Sequence, residues 1–293
     1  MTEWSGKSKG TVLGYRIFVA FCKVGRRPAY LLLRIISFYY FLFAWPQRNS
    51  IYRYFRAGHK FSRTKSLIST IQNFYIFGQT LVDKHSVIGN LFSDLNFKFF
   101  GDENLSKILE MGKGGILLSA HIGNWEVAAH HLFYLNAKAN IVVYDGENEE
   151  IKYYLNKISG NKLFNFIIMR KDMSHVFEIG YALSQNEFVC LHADRFLPDS
   201  QVIKLSFLGE EAKFPIGPFL LATTFGVPTV VTMAVKEKPD LYHYFCSDIV
   251  IRGINEKREI FINRLSTKYV QEVEKMVKKY PTQWFNYYNF WKK

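Results

Sequence analysis

The sequence predicts an α/β fold in which a layered, mostly parallel sheet is flanked by helices and preceded by an N-terminal helical region. Short apolar runs of strand length alternate with helix-length segments from about residue 101 onward, which is typical of a parallel sheet with helical crossovers. Hydrophobic residues make up 48% of the 293 residues, enough to bury a substantial core. The positive charge is concentrated near the N-terminus, which distinguishes that region from the rest.

The N-terminal region is basic and aromatic. Residues 1–65 hold 13 Lys or Arg and one acidic residue, so they carry +12 of the total net charge of +13. Two apolar segments, 14–24 and 28–45, are separated by a Gly-Arg-Arg turn, and the second contains only Arg34 as a charge. At 18 residues this segment is at the short limit for a membrane span. Positive residues flank it on both sides, which favours helices lying in the interface of an anionic membrane. The alternative is a hydrophobic helix docked on the core.

This contrast predicts two regions: basic aromatic membrane-attachment helices over residues 1–65, and an α/β domain over residues 66–293. The first ten residues lack the apolar core of a signal peptide, so no cleaved leader is expected. The segment from 53 to 100 is predicted to be helical. The predicted strands are 115–120, 140–144, 164–169, 187–193, 202–207, 228–235 and 242–251; the predicted helices are 124–136, 148–159, 174–185, 217–225 and 258–279.

The segment 114–126 is the most informative part of the chain. The apolar run 116–120 predicts a buried strand, Gly123 permits a sharp turn, and Asn124 is a good helix N-cap. His121 then leaves the strand at the sheet edge where open α/β folds place ligands. A His and an acid five apart on one helix point away from each other, but a His in the turn before the helix can meet Glu126. Glu126 is therefore predicted to orient His121 as a general base.

A second His-x-x-x-x-acid match occurs at His243 and Asp248. It lies in a segment that reads as an ordinary strand, without a glycine turn or a helix start. We therefore predict that this pair is not catalytic.

Cysteine usage limits the chemistry. The three cysteines are scattered and lack Cys-x-x-Cys spacing, which argues against a disulfide framework and a zinc site. No Gly-x-Ser-x-Gly elbow follows a predicted strand. The sequence therefore predicts that one substrate attacks the other directly, without a serine acyl-enzyme intermediate. We expect no metal and no tightly bound cofactor.

Several motifs resemble the lipid A late acyltransferases, within the lysophospholipid acyltransferase superfamily. They are His-Ile-Gly-Asn-Trp-Glu at 121–126, Leu-His-Ala-Asp-Arg at 191–195, Phe-Leu-Gly-Glu at 207–210 and Phe-Pro-x-Gly-Pro at 214–218. The similarity covers most of the chain. Two features depart from relatives: the acid near 194 is single where the lipid A enzymes have a doubled Asp, and the Glu-Gly-Thr-Arg block of glycerol-phosphate acyltransferases is absent.

The resemblance, together with positions at strand ends, predicts a set of substrate-binding residues. Arg170 follows an apolar strand and either binds a phosphate or carrier, or pairs with a neighbouring acid. Asp194 and Arg195 follow another strand in the same way, although an acid there can simply cap a loop. Glu210 matches a carboxylate implicated near the active His in some relatives, with an exposed hairpin residue as the alternative. Asn124 is also counted in this set.

The function implied is transfer of a fatty acyl chain to a hydroxyl or amine of a lipid or glycoconjugate. The resemblance implies an acyl carrier protein or coenzyme A thioester as co-substrate, a lipid acceptor, and a peripheral or monotopic position on the cytoplasmic face of the inner membrane. We expect the acyl chain in an apolar groove beside the helix 124–136. Two alternatives stay open: a nucleic-acid-binding protein that uses the basic aromatic arm, and an inactive membrane scaffold.

Overall fold

The computed structural model describes residues 25–88, 95–125, 127, 132, 135–144, 164–170, 172–196 and 200–291. Its helices are α1 (Arg26–Phe43), α2 (Trp45–Arg53) continued by a π-helical turn (Tyr54–Gly58), α3 (Arg63–Ile88), α4 (Glu103–Glu110), α5 (His175–Ser184), α6 (Gly217–Phe225), α7 (Arg258–Lys279) and a 3₁₀ turn (Pro281–Gln283). Its strands are β1 (Asn96–Phe100), β2 (Gly115–Ser119), β3 (Ala139–Tyr144), β4 (Phe164–Met169), β5 (Phe188–His192), β6 (Val202–Phe207), β7 (Glu210–Pro215), β8 (Thr229–Lys238) and β9 (Leu241–Cys246).

Within the described residues, a seven-stranded sheet has the order β1-β9-β8-β2-β5-β3-β4. The five strands from β8 to β4 run parallel, whereas β9 is antiparallel to β8 and β1 is parallel to β9. Strands β6 and β7 form a separate antiparallel hairpin. The predicted mostly parallel sheet is therefore confirmed.

Helices cover both faces of the sheet, as expected for apolar strands without a solvent-facing side. Alternate residues of β2 show this division. Ile116 and Leu118 belong to a large core cluster that includes α6 and α7. Leu117 faces the opposite cluster, which contains Leu105 of α4 and Leu132. Strand β2 is thus buried on both faces at the centre of a three-layer α/β fold.

Some predicted boundaries were wrong. The segment before residue 101 ends in strand β1 rather than in helix, because its alternating pattern adds an edge strand beside β9. Strand β7 was not predicted, and β9 ends at Cys246 instead of continuing to 251. Trp125, Val127 and Leu132 are helical, in agreement with the start of the predicted helix 124–136. The predicted helix 148–159 lies outside the described residues.

The N-terminal helix α1 packs on α3 through one narrow face. Ala29, Tyr30 and Leu33 are buried in this contact. Gly78 of α3 allows the close approach, because a Cβ atom there would lie 2.7 Å from Leu33 Cδ2. The opposite face of α1 is exposed. That face is largely apolar, and no other described residue covers it.

A buried polar cluster connects α1 and α3 to the sheet. The Asp83 carboxylate on α3 accepts hydrogen bonds from the Tyr30 hydroxyl on α1 and the Tyr242 hydroxyl on β9, and it pairs with the Lys236 ammonium on β8. Lys236 Nζ also donates to the Tyr30 hydroxyl at 2.7 Å. Burial lowers the pKa of Lys236 and the Asp83 charge opposes that shift. A buried charge is stable only when it is paired in this way. The cluster therefore fixes the positions of α1 and α3 relative to the sheet.

Candidate active site

The site lies at the carboxyl ends of two neighbouring parallel strands. In the β2–β5 register, Ser119 lies opposite His192. His121 lies two residues after Ser119, and Asp194 lies two residues after His192. The fold therefore brings His121 and Asp194 side by side at the sheet edge where α/β proteins bind ligands. His121 Nδ1 lies 2.7 Å from Asp194 Oδ1. The two residues form a His–Asp dyad.

Asp194 is buried and its carboxylate is fully engaged. Besides the imidazole, it accepts hydrogen bonds from the His121 backbone N–H (2.9 Å) and from the Trp284 indole N–H (3.0 Å). The Tyr288 hydroxyl donates to the Asp194 backbone carbonyl at 2.9 Å. The C-terminal segment after α7 therefore packs directly against Asp194.

The electrostatics favour an ionised Asp194. Burial alone would raise the pKa of this carboxyl, but the interaction with His121, followed by that with Arg195, holds it well below its usual value. An ionised carboxylate only accepts hydrogen bonds, so neutral His121 donates from Nδ1. The basic lone pair is then on Nε2, as in a general base oriented by a carboxylate.

The other residues of the motif build the turn. Gly123 adopts φ +65°, and its N–H donates to the Gln283 carbonyl at 2.9 Å. Asn124 is buried; its amide donates to the Thr80 carbonyl at 2.9 Å, and its Oδ1 accepts from the Val127 N–H at 3.4 Å. The predicted N-cap is thus confirmed. This geometry gives Asn124 a structural role and no support for the predicted contact with substrate.

Glu126, the carboxylate predicted to orient His121, lies outside the described residues, and its role stays a prediction. Asp194 is the described carboxylate at Nδ1 of the His121 ring. The sequence placed Asp194 at the ligand edge but assigned it to substrate. The neighbouring order of β2 and β5, which the sequence did not give, is the signal that identifies it as the partner of His121.

His192, the last residue of β5, was not singled out by the sequence. Its ring stacks on the His121 ring with centroids 4.3 Å apart and planes inclined by 27°. The Trp125 ring meets it edge-on at 5.1 Å. Desolvation, and then the neighbouring His121, lower the pKa of His192 well below its ordinary value, so the ring is neutral.

An apolar cavity opens beside His192. Its interior leaves about 30 Å³ for the centres of water-sized spheres, and the empty volume is about 440 Å³ when the open solvent at its mouth is included. Its lining is dominated by apolar side chains from the sheet and the helix after Asn124, and includes Leu117, Trp125, Leu132, Ile141, Cys190 and His192. Burial raises the pKa of the Cys190 thiol to about 12. This thiol stays protonated at neutral pH and is therefore a poor nucleophile.

The remaining predicted substrate residues are dispersed. The Arg195 guanidinium donates to the Phe285 carbonyl at 2.6 Å and lies close to the dyad. Arg170 follows the edge strand β4, far from β2 in the sheet order, and pairs with Glu178 at 2.7 Å. Glu210 lies in the β6–β7 hairpin, half exposed, with Lys60 at 3.7 Å. The structure places Arg195 near the dyad. Arg170 instead pairs with a neighbouring acid, and Glu210 is a half-exposed hairpin residue. The substrate-binding roles of all three stay predictions.

His243 behaves as expected of the second His-x-x-x-x-acid pair. It lies on β9, and its Nδ1 is 3.5 Å from Glu237 rather than from Asp248. Its ring packs against Phe100. The pattern at this site therefore reflects strand packing.

His121, His192 and Asp194 are the described residues whose ligand atoms converge closely enough to suggest a metal, within 4.8 Å of one another. Metals bind imidazole in the ring plane, and two nearly stacked rings do not direct their lone pairs at one point. Asp194 is also already engaged by three N–H groups. The arrangement fits a hydrogen-bonded dyad better than a metal centre.

Comparison with known proteins gives a family. A family model described as bacterial lipid A biosynthesis acyltransferase matches residues 70–293. A search of curated proteins gave no match. Among solved structures, the 1-acyl-sn-glycerophosphate (LPA) acyltransferase PlsC from Thermotoga maritima is 15% identical, with 89% of this chain and 99% of that chain covered and a TM-score of 0.39. At that TM-score the likeness carries no functional argument.

The turn geometry leads to a stability prediction. A Cβ atom at position 123 would lie 1.9 Å from the Ala234 carbonyl oxygen, whereas one at Gly226, with nearly the same φ of +62°, would meet nothing within 4 Å. Gly226→Ala is expected to lower the free energy of unfolding by about 1–2 kcal/mol, the cost of placing a Cβ-bearing residue in the left-handed conformation. Gly123→Ala is expected to lower the free energy of unfolding by clearly more, as measured by urea denaturation. Equal losses in the two variants would contradict the close contact.

Proposed function

This chain belongs to the bacterial lipid A biosynthesis acyltransferase family, and we propose that it transfers a fatty acyl chain from a carrier-protein or coenzyme A thioester to a hydroxyl or amine of a membrane lipid or glycoconjugate. The observation that carries this proposal is the His121–Asp194 dyad, whose His121 ring stacks on His192 in the wall of an apolar cavity. Family membership makes the protein an acyltransferase; the donor, the acceptor and the membrane position are the proposal.

The reaction requires one base and no covalent enzyme intermediate. His121 Nε2 takes the proton of the acceptor O–H or N–H as that group attacks the thioester carbonyl carbon. The tetrahedral intermediate collapses, the C–S bond breaks, and the imidazolium returns its proton to the departing thiolate. Asp194 stabilises the imidazolium between these steps. The protonated Cys190 thiol is consistent with direct transfer.

The acyl chain is proposed to occupy the apolar cavity. Its walls come from the sheet and from the helix that starts at Asn124, as expected for a groove beside that helix. A saturated chain gains about 0.8 kcal/mol for each buried CH₂. Cavity depth then decides which chain length reaches the dyad with its carbonyl carbon.

The exposed face of α1 is proposed to contact the membrane. Among the described residues no single helix is long and apolar enough to cross a bilayer; Arg26–Phe43 and Trp45–Gly58, bent by 91°, meet the length and composition requirement only together. The side chains more than half exposed on this face include Leu31, Ile35, Phe38, Tyr39 and Phe43, and Trp45 at the start of α2 is exposed to the same extent. Arg34 is also exposed, and Arg48 stacks over Trp45 at 3.8 Å. Aromatic and basic groups together favour the interface of an anionic leaflet, here the cytoplasmic face of the inner membrane.

Removing the base is the first test of the function. His121→Ala is expected to lower kcat by about 10²–10⁴-fold, the usual loss of a general base, with the circular dichroism spectrum unchanged. His243→Ala is the matched control and is expected to stay within a few-fold of the wild type. The assay measures acyl transfer from carrier-protein and coenzyme A thioesters separately. An active His121→Ala enzyme would refute the mechanism.

The same assay decides between the two carboxylates. Glu126→Gln and Asp194→Asn are each compared with the wild type. Loss of the carboxylate that stabilises the imidazolium is expected to lower kcat and leave the KM for the thioester donor unchanged. The structure supports Asp194 in this role. Mass spectrometry of lipids from cells with and without the protein then identifies the product, as a species that differs by one acyl group.

Chain-length selectivity tests the cavity. Ile141→Trp is expected to shorten the preferred acyl donor, because the larger ring fills the cavity that Ile141 lines. Each methylene excluded costs about fourfold in selectivity, from about 0.8 kcal/mol per CH₂. Ile141→Ala is the opposing variant and is expected to favour longer chains. The measurement is competition among thioesters of different length; unchanged selectivity in both variants excludes this cavity as the acyl site.

Vesicle binding tests the exposed face of α1. The triple change Ile35→Glu, Tyr39→Glu and Phe43→Glu is expected to abolish sedimentation with anionic vesicles, since it places charge on the apolar face. Ile254→Glu, at a fully exposed loop position, is the matched control and is expected to bind as the wild type does. Binding of the wild type to RNA but not to vesicles would instead favour the nucleic-acid alternative.

A further inference from the structure

His192 has no role in the reaction as described above, yet it lies at its centre. It ends β5, stacks on the His121 ring at 4.3 Å and lines the apolar cavity. One ligand nitrogen of each imidazole lies within 4.8 Å of the other. A side chain this close to the base and to the cavity meets whatever reacts there.

The hydrogen bonding of His192 is incomplete. Nδ1 is buried, and no group in the described part of the chain is hydrogen-bonded to it. Nε2 is the ring nitrogen that stays accessible. Among the described residues, it too makes no protein hydrogen bond. A buried polar atom without a partner costs free energy, so this ring is held in place at a cost.

The position of the ring proton follows from these surroundings. Buried N–H groups without an acceptor are rarer in proteins than under-satisfied acceptor atoms. The tautomer with hydrogen on the accessible Nε2 therefore suits the site best. Burial, and the positive charge that His121 acquires during proton transfer, keep His192 from taking a second proton. A neutral imidazole in this state offers a single N–H donor, the arrangement by which a neutral histidine can polarise a substrate carbonyl.

We propose that His192 is a further catalytic residue, whose Nε2–H donates a hydrogen bond to the oxyanion that forms on the thioester carbonyl while His121 removes the acceptor proton. This inference rests on the proposed acyl transfer. It also gives the developing negative charge a side-chain donor beside the base.

The step balances with the groups already named. The acceptor oxygen or nitrogen forms a bond to the carbonyl carbon, its proton moves to His121 Nε2, and the carbonyl π electrons move to oxygen. His192 gives no proton away; its N–H only shares a hydrogen bond with that oxygen. When the C–S bond breaks, the C=O bond re-forms and the proton on His121 passes to the thiolate.

The spacing suits two partners of one tetrahedral centre. A general base lies about 2.6–3.2 Å from the atom it deprotonates, and an oxyanion donor lies about 2.7–3.1 Å from the oxygen it stabilises. The attacking atom and the oxyanion are bonded to the same carbon, so they are close neighbours. Two imidazoles stacked side by side can each reach one of them.

The experiment compares two replacements of His192 in the full-length protein. His192→Phe keeps a flat ring for stacking and removes the donor; it is expected to lower kcat by about 10²–10³-fold, the usual loss of one oxyanion donor, with the KM for the thioester little changed. His192→Gln supplies an amide N–H near the position of Nε2 and is expected to recover kcat to within about tenfold of the wild type. His243→Phe, the same change on β9, controls for loss of a part-buried strand histidine.

Three results would overturn the inference. They are a His192→Phe enzyme within a few-fold of the wild type, equal loss of kcat in the Phe and Gln variants, or a loss confined to KM. If the wild type transfers no acyl group from any thioester, the proposed function itself fails. An active wild type with an unimpaired His192→Phe variant refutes only the role of His192. Thermal unfolding of each variant identifies a loss caused by misfolding, and in that case His192→Leu, which also lacks a donor, replaces a misfolded Phe variant.

Discussion

The buried carboxylate of Asp194 is the interaction on which the site depends. It accepts hydrogen bonds from the His121 ring, the His121 backbone and the Trp284 indole, and these three groups come from the end of β2 and the segment after α7. A buried charge without such partners is strongly unfavourable. The strand ends and the C-terminal segment must therefore assemble together, and the free energy that stabilises the fold also fixes the orientation of the imidazole.

The chemistry of the site follows from the contrast between this polar corner and its apolar surroundings. The Cys190 thiol and the His192 ring lie on the cavity side of β5, and burial favours the neutral form of both. If the proposed acyl chain occupies this cavity, the dyad is the place where charge is stabilised. A charge that develops there during reaction is screened little by water, which makes each nearby hydrogen-bond donor more effective.

Local patterns predicted much of the fold, because they depend on residues close in sequence. The strand, glycine turn and N-cap of 115–124 were all correct, as were the helices 217–225 and 258–279. Contacts that depend on strand order were not predictable in this way. Asp194 was placed at the ligand edge of the sheet, but its contact with His121 was not predicted, since nothing local shows that β5 pairs with β2. His192 was missed for the same reason, and Trp284 because its contact with Asp194 joins residues 90 apart in sequence. Strand β1 was missed because an alternating pattern of only five residues is a short signal.

The cluster around Asp83 determines how the N-terminal helix is related to the reaction centre. Tyr30, Lys236 and Tyr242 reach it from α1, β8 and β9, and Asn124 lies 3.5 Å from the Tyr242 hydroxyl. Detaching α1 would leave an ammonium and a carboxylate inside the protein with one partner fewer. Buried polar contacts thus join the helix directly to α3 and to the sheet, so its distance from the dyad is set by the fold. A truncation that removes α1 would remove the Tyr30 hydroxyl from Asp83 and Lys236 and weaken the sheet beneath the catalytic turn.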